Sequence, residues 1–98
     1  MKTFEQIIAA EKPVLVDFYA DWCAPCRMMP PILKEVKEDL GDQVTILKIY
    51  VDKNPQVAAQ YQVRGIPTLI VFKKGKVQWR TSGVVPAAQL KQKLHEFV

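Results

Sequence analysis

Residues 13–26 read Pro-Val-Leu-Val-Asp-Phe-Tyr-Ala-Asp-Trp-Cys-Ala-Pro-Cys. Pro13 to Ala20 is a continuous apolar run broken by one carboxylate, Asp17. A strand covered on both faces reads this way, because neither side of it needs to meet water. Cys23 and Cys26 are the only cysteines in the chain, and they follow that run directly. Pro25 suits the first turn of a helix, where its missing N–H would have had no partner anyway. The stretch therefore predicts a buried strand, a short loop and a helix, with both sulfurs at the junction.

Working outward, Met29, Ile32, Leu33, Val36 and Leu40 follow helical spacing from a start near Ala24 or Pro25, and Gly41 stops them. Pro30 and Pro31 lie inside that helix, and their missing donors predict a kink in its first turns. Val44 to Val51 is a second apolar strand. Asn54-Pro55 is expected to cap a short helix reaching about Tyr61. Thr68 to Lys73 reads as a third strand, Lys74-Gly75 as a turn, and Val77, Trp79 and Thr81 alternate on a fourth. A last helix from near Pro86 buries Ala87, Leu90, Leu94 and Phe97 on one stripe. At the start, Thr3-Phe4-Glu5-Gln6 has the form of a capping box opening a short helix. The order is αβαβαββα. A helical crossover makes the first two strands parallel, and a hairpin makes the last two antiparallel. The fold class is α/β, a mixed four-stranded sheet flanked by helices.

At 98 residues, one domain spanning 1–98 is expected. A chain of this size buries about 60 to 70% of its unfolded surface. Its 49% apolar and 24% charged content is ordinary for a globular protein. No apolar run approaches a membrane span, and the first residues carry Lys2 but no apolar run before Glu5, so no signal peptide is expected. The cytoplasm is the expected compartment, and there a C-x-x-C is catalytic or metal-binding more often than structural. The net charge is +4, with Lys73, Lys74 and Lys76 around Gly75 and with Lys91 and Lys93 near the C-terminus. No aromatic–basic interleaving accompanies these lysines, which argues against nucleic acid. They read as a solvated hairpin tip and a polar helix face that steer acidic partner proteins mildly.

Zinc and redox chemistry compete for the two sulfurs. A structural zinc site needs four ligands, and the chain offers only His95 beside the cysteines. A carboxylate or a second chain would have to complete it. Redox chemistry needs no third residue. Unpaired N–H groups at the start of a helix favour a thiolate, two-residue spacing allows a small disulfide ring, and Pro25 stiffens that ring. One thiolate can attack a partner's disulfide and the second cysteine can resolve the product.

Residues 16–26, Val-Asp-Phe-Tyr-Ala-Asp-Trp-Cys-Ala-Pro-Cys, resemble the active-site segment of the thioredoxin family. So do Arg27-Met28, Pro31-Ile32-Leu33, Val51-Asp52 before Asn54-Pro55, and Arg64-Gly65-Ile66-Pro67-Thr68-Leu69. The likeness runs in register from about Val14 to the end and is far more specific than a lone C-x-x-C. It implies the thioredoxin fold and dithiol–disulfide exchange, with Cys23 as the exposed nucleophile and Cys26 as the resolving cysteine. Asp17 matches the family's buried carboxylate behind the disulfide. The strand pattern agrees, since a carboxyl group kept there should have a raised pKa and can trade a proton with Cys26. Lys48 matches the lysine beside that carboxylate, although pattern alone reads it as an ammonium reaching solvent. Pro67 matches the family's cis-proline facing the disulfide, and the backbone of Ile66 would pair with a substrate strand. Trp22, Ala24, Pro25, Ile66, Pro67 and Gly83 would form an apolar docking surface around Cys23, with Asp21 flanking it and positioning Trp22.

The resemblance further implies disulfide-containing protein substrates and a thioredoxin reductase as electron donor. The flavin and NADPH belong to that partner, so this chain is expected to need no cofactor and no metal, and to act as a monomer. The chain departs from the family pattern in five places. Ala24 stands where glycine is usual, Tyr19 where tryptophan is common, and Pro30 is extra beside Pro31. The N-terminus is too short for an additional first strand, which leaves a sheet edge more open. The chain is basic where the family is usually acidic. Two rival readings follow: a disulfide oxidase or isomerase, which requires a more oxidising couple, and a redox-independent binding module, which would survive loss of either cysteine.

Overall fold

The computed structural model describes residues 2–98. The apolar run becomes β1 (Val14–Tyr19), and every residue from Val14 to Phe18 is fully buried. Around it the chain forms α1 (Phe4–Ile8), α2 (Met29–Leu40), β2 (Thr45–Tyr50), α3 (Pro55–Gln60), β3 (Thr68–Lys73), β4 (Lys76–Ser82) and α4 (Ala87–His95). The sheet order is β2-β1-β3-β4. β1 and β2 are parallel, with Asp17 opposite Lys48, while β3 runs antiparallel to both β1 and β4. The expected mixed sheet is therefore present, with β1 and β3 inside it and β2 and β4 as its edges.

Burial on both faces follows from period-2 alternation along β1 and β3. Leu15, Leu69 and Val71 face Met29, Leu33, Val36 and Leu40 of α2 and Leu90 and Leu94 of α4. Val14, Val16, Phe18, Ile70 and Phe72 face the other way, onto Ile8 and the flank of α3. There Phe72 meets Phe4 and Tyr61 edge-on, at centroid distances of 5.8 and 5.0 Å. The capping box forms as read: Gln6 N–H donates to Thr3 Oγ1 at 3.2 Å and Thr3 N–H to Gln6 Oε1 at 2.9 Å.

Three local expectations change. The predicted kinked helix from Ala24 is two pieces, a 3-10 turn at Pro25–Met28 followed by α2. Pro30 and Pro31 thus lie in the opening turn of α2, where the absent donors had no intrahelical acceptor to lose. The Asn54 side chain does not cap α3; its amide donates to Tyr50 O at 3.0 Å and ties the loop to β2. Val77 and Trp79 do not share a face. Val71 pairs with Trp79 but Phe72 with Val77, so Gln78 is an extra residue that flips the pattern, and Val77 is 45% exposed. The Lys74-Gly75 turn forms, with both residues at positive φ.

Part of the basic surface is engaged inside the molecule. Lys91 bridges α4 to α2 through Asp39 at 2.5 Å and Glu35 at 3.0 Å, contacts that raise its pKa. Lys93 pairs with Glu96 and lies 5.8 Å above the Trp79 ring. Lys73 donates to Phe97 O at 2.7 Å. The polar face of α4 is therefore a helix-packing device rather than a free cationic patch.

Leu90 and Val77 provide a direct test of this packing. Leu90→Ala empties a fully buried site and should cost about 2 to 5 kcal/mol in denaturant unfolding. Val77→Ala should cost less than about 0.5 kcal/mol, because that side chain is half in water. Equal costs would refute the assignment of the two faces.

Candidate active site

The topology gathers four chain segments at one end of the sheet. β1 and β2 are parallel, so the loops leaving both emerge at their shared C-terminal end. β3 is antiparallel to β1, so the residues entering it, Gly65 to Pro67, lie at that end as well. β4 pairs Ser82 with Thr68 and brings Gly83 alongside. Residues distant in sequence thus meet around the two cysteines. Ala20, Cys23 and Cys26 form a small buried cluster with Tyr19, Tyr50, Val51 and Ile66 against it.

Cys23 and Cys26 are joined as a disulfide, with Cα atoms 5.3 Å apart. Closure of the ring leaves the two residues almost equally covered, 4% and 5% exposed. The expectation of an exposed Cys23 is therefore not met in this disulfide form, because Ile66 packs over the sulfur. What separates the two sulfurs is electrostatic. The Cys26 N–H is aimed at Cys23 Sγ at 3.2 Å, while among the described residues no donor is directed at Cys26 Sγ. The 3-10 turn produces this asymmetry, since the Cys26 N–H near its start has no backbone partner within the turn.

The Ile66–Pro67 peptide is cis, and Ile66 O lies 3.6 Å from Cys23 Sγ. Two bonds hold this segment: Thr68 Oγ1 donates to Gly65 O, and Gly83 N–H donates to Pro67 O at 2.8 Å. Gly83 has φ +99°, a conformation that a side chain would strain, so glycine permits the approach of β4's end to Pro67. Trp22 is 67% exposed, which removes core packing as its role. Ala24 and Pro25 beside it are exposed too, and Met28 adds a further apolar side chain at 58%.

Asp21 does not hold Trp22. The indole Nε1–H donates to Asp52 Oδ2 at 2.9 Å. Asp21 instead receives Arg27 on its backbone carbonyl at 3.2 Å. Burial first, and then the nearby Asp21 carboxylate, raise the pKa of the Tyr50 hydroxyl. Sequence reasoning assigned no role to Asp52. Its signal was topological: it follows β2, and a strand parallel to β1 must end beside the loop that follows β1.

Asp17 is fully buried, and among the described residues neither carboxylate oxygen has a hydrogen-bond partner. Burial pushes its pKa up to about 6, against an opposing pull from the Lys48 charge. Lys48 makes no ion pair with it. Its ammonium is exposed and lies 4.7 Å over the Tyr19 ring, as an ammonium reaching solvent would. A cavity of about 390 Å³ is lined by Asp17, Cys26, Tyr19, Arg27, Pro30 and Lys48, and it joins the carboxyl group to the Cys26 side of the disulfide. His95 is exposed on α4, and among the described residues no cluster of three or more His, Cys, Asp or Glu side chains could hold a metal. Among the same residues no helix is long and apolar enough to cross a membrane.

Comparison with known proteins accords with this geometry. The thioredoxin family model matches residues 1–96. A thioredoxin-like protein of Synechocystis is 51% identical over 94 residues, covering 96% of this chain and 90% of the relative. A thioredoxin of Alicyclobacillus acidocaldarius is 48% identical over 95 residues, covering 97% and 90%. The chloroplastic thioredoxin Y of Oryza sativa is 48% identical over 93 residues, covering 94% of this chain and 55% of its own. Thioredoxins are thiol–disulfide oxidoreductases that act on protein disulfides and are reduced by thioredoxin reductase. With its C-x-x-C pair closed as a disulfide at the converging ends of the sheet, this chain belongs to the thioredoxin family and is a protein-disulfide reductase.

Proposed function

We propose that Cys23 is the attacking thiolate and Cys26 the resolving cysteine of this reductase. The observation that carries the assignment is the Cys26 N–H directed at Cys23 Sγ, which would stabilise negative charge on that sulfur once the ring is reduced. In the reaction, Cys23 Sγ attacks one sulfur of a target disulfide, forms a mixed disulfide and expels the other target sulfur as a thiolate. Cys26 then loses its proton and attacks Cys23 Sγ. The second target thiolate leaves and the Cys23–Cys26 disulfide closes, so two electrons pass from the dithiol to the target.

Asp17 is the acceptor of the Cys26 proton. Its support is a carboxyl group that titrates near neutrality in a cavity it shares with Cys26. Lys48, on the neighbouring strand, keeps that pKa from rising further. The exposed surface of Trp22, Ala24 and Pro25, with half-buried Ile66 and Gly83 and the buried Pro67 beside them, receives the target, and the Ile66 backbone pairs with its extended chain. Asp52 orients Trp22 within that surface. The whole chain acts as one domain and as a monomer in the cytoplasm. It needs no cofactor of its own, does not bind nucleic acid, and draws electrons from a flavin-dependent, NADPH-using thioredoxin reductase.

The test of direction is a redox titration of the Cys23–Cys26 couple, read by tryptophan fluorescence. A midpoint near about −270 mV, the potential established for thioredoxin, supports a general reductase. A midpoint of about −180 mV or above would transfer the chain to the oxidase or isomerase class, with Ala24 the first residue to replace by glycine. The roles of the sulfurs separate by trapping. Cys26→Ser should accumulate covalent complexes with target proteins on non-reducing gels, and Cys23→Ser should not. Equal trapping by both would reverse or dissolve the assignment, and full activity without either cysteine would leave only a binding module.

Asp17 makes a pH-dependent prediction. Its carboxyl ionises near 3.8 in the unfolded chain but near 6 in the folded one. Between those values the folded state holds a proton that the unfolded state has released, so stability falls as pH rises through this window. The loss totals about 3 kcal/mol at 1.36 kcal/mol per unit. Asn does not titrate, so the stability advantage of Asp17→Asn over the parent should grow by about that amount from pH 4 to pH 7. The same variant should resolve mixed disulfides more slowly at neutral pH. Unchanged resolution kinetics would take Asp17 out of the mechanism while leaving the stability result intact.

A further inference from the structure

We propose that the free edge of β2, with the groove between it and α2, docks an extended acidic segment of a partner protein. Thr45 N–H donates to Pro13 O at 3.0 Å and Val51 N–H donates to Tyr19 O at 2.9 Å. The amides of residues 45, 47, 49 and 51 therefore turn toward β1, and the even-numbered residues between them turn outward. Both ends of this outer edge are closed. Val44 O accepts from Lys37 Nζ at 2.7 Å, and Tyr50 O accepts from the Asn54 side chain at 3.0 Å and from Lys53 N–H at 3.1 Å. Between them, the N–H and C=O of Ile46 and Lys48 have no strand beside them among the described residues.

The other sheet edge is protected and this one is not. β4 carries the extra residue Gln78, which disrupts its ladder, and Arg80 is drawn away to the carbonyls of Tyr61 and Gln62. β2 is regular over all six residues and contains neither proline nor bulge. It is a template for one more strand.

Side chains decide what kind of strand fits. A groove of about 400 Å³ runs along this edge, lined by Pro30, Leu33, Lys34, Thr45, Ile46 and Lys48, with Lys37 committed to backbone carbonyls at one end. It contains three lysines and no carboxylate. Lys34 is exposed and has no acidic partner among the described residues, and Lys48 is exposed over Tyr19. Carboxylates on an incoming strand would meet Lys34 and Lys48, while an apolar residue two positions away would cover Leu33 and Ile46. A second copy of this chain is a poor occupant. Antiparallel β2–β2 pairing would set the lysines of two chains, each of net charge +4, against one another. The groove shares Pro30 and Lys48 with the cavity that reaches Asp17 and Cys26, so the docked segment lies beside the disulfide and leaves it open to a target.

The probe is a short blocked peptide in which glutamate and valine take turns at every second position, with threonine between them, so that both lie on one face of the strand; the control carries lysine in place of glutamate. Its binding to the whole chain in the disulfide form is followed by fluorescence anisotropy and by amide hydrogen exchange. The acidic peptide should slow exchange at Ile46 and Lys48 and bind less tightly as salt rises, and the basic one should do neither. Ile46→Pro removes an outward donor and no bond to β1, and it should abolish binding. Should that variant fold poorly, Lys34→Glu, a surface change, should weaken binding about tenfold on its own, the size of one charge-assisted contact. An acidic peptide that leaves both amides unprotected, or that binds Lys34→Glu undiminished, overturns the proposal. Protection that appears without peptide as protein concentration rises would also overturn it, in favour of self-association.

Discussion

Burial of β1 on both faces places every other element of this protein. A strand with helices on each side must have its backbone groups paired by neighbouring strands, which here are β2 and β3. It must also supply apolar side chains in both directions, which Val14, Leu15, Val16 and Phe18 do. The position of Asp17 in that run then becomes costly: a carboxyl group without a hydrogen-bond partner among the described residues is held in a strand from which water is excluded on both sides. The molecule accommodates it by keeping it protonated further up the pH scale, at a cavity that it shares with Cys26.

The redox site inherits its geometry from the same strand. Where β1 ends, the chain turns through Cys23 into a 3-10 turn whose Cys26 N–H faces the Cys23 sulfur. The direction of β2 places Asp52 beside Trp22, and the direction of β3 places Ile66 and Pro67 over Cys23. The two sulfurs are nearly equal in exposure, so their inequality rests on which of them the backbone donors address. This polarity is built into the backbone and needs no charged side chain next to Cys23.

The lysines of this basic chain divide by what they touch. Lys37, Lys73, Lys91 and Lys93 are held by backbone carbonyls or carboxylates and close gaps between helices, loops and the C-terminal segment. Lys34 and Lys48 face solvent along an unprotected sheet edge. Formal charge alone does not separate these groups. Their burial and their partners do: Lys34 and Lys48 at the edge of β2, like Lys74 and Lys76 at the hairpin tip, have no carboxylate partner among the described residues.

Much of the molecule was legible in the chain itself. Continuous against alternating apolar runs identified β1 and β3 as strands, the spacing of Leu33, Val36 and Leu40 identified α2, and the Thr3–Gln6 signature identified the start of α1. These features depend on residues near one another in sequence, so local periodicity encodes them. The C-x-x-C at a strand–helix junction, with the motif around Pro67, pointed to dithiol chemistry for the same reason. What needed the tertiary structure were relations between distant residues: Asp52 rather than Asp21 on Trp22, the equal cover of Cys23 and Cys26, and Lys91 spent on Asp39 and Glu35. The Gln78 bulge belongs with them. Each is set by which strands pair and in what register, and pairing is a competition among long-range contacts that no short window of sequence contains.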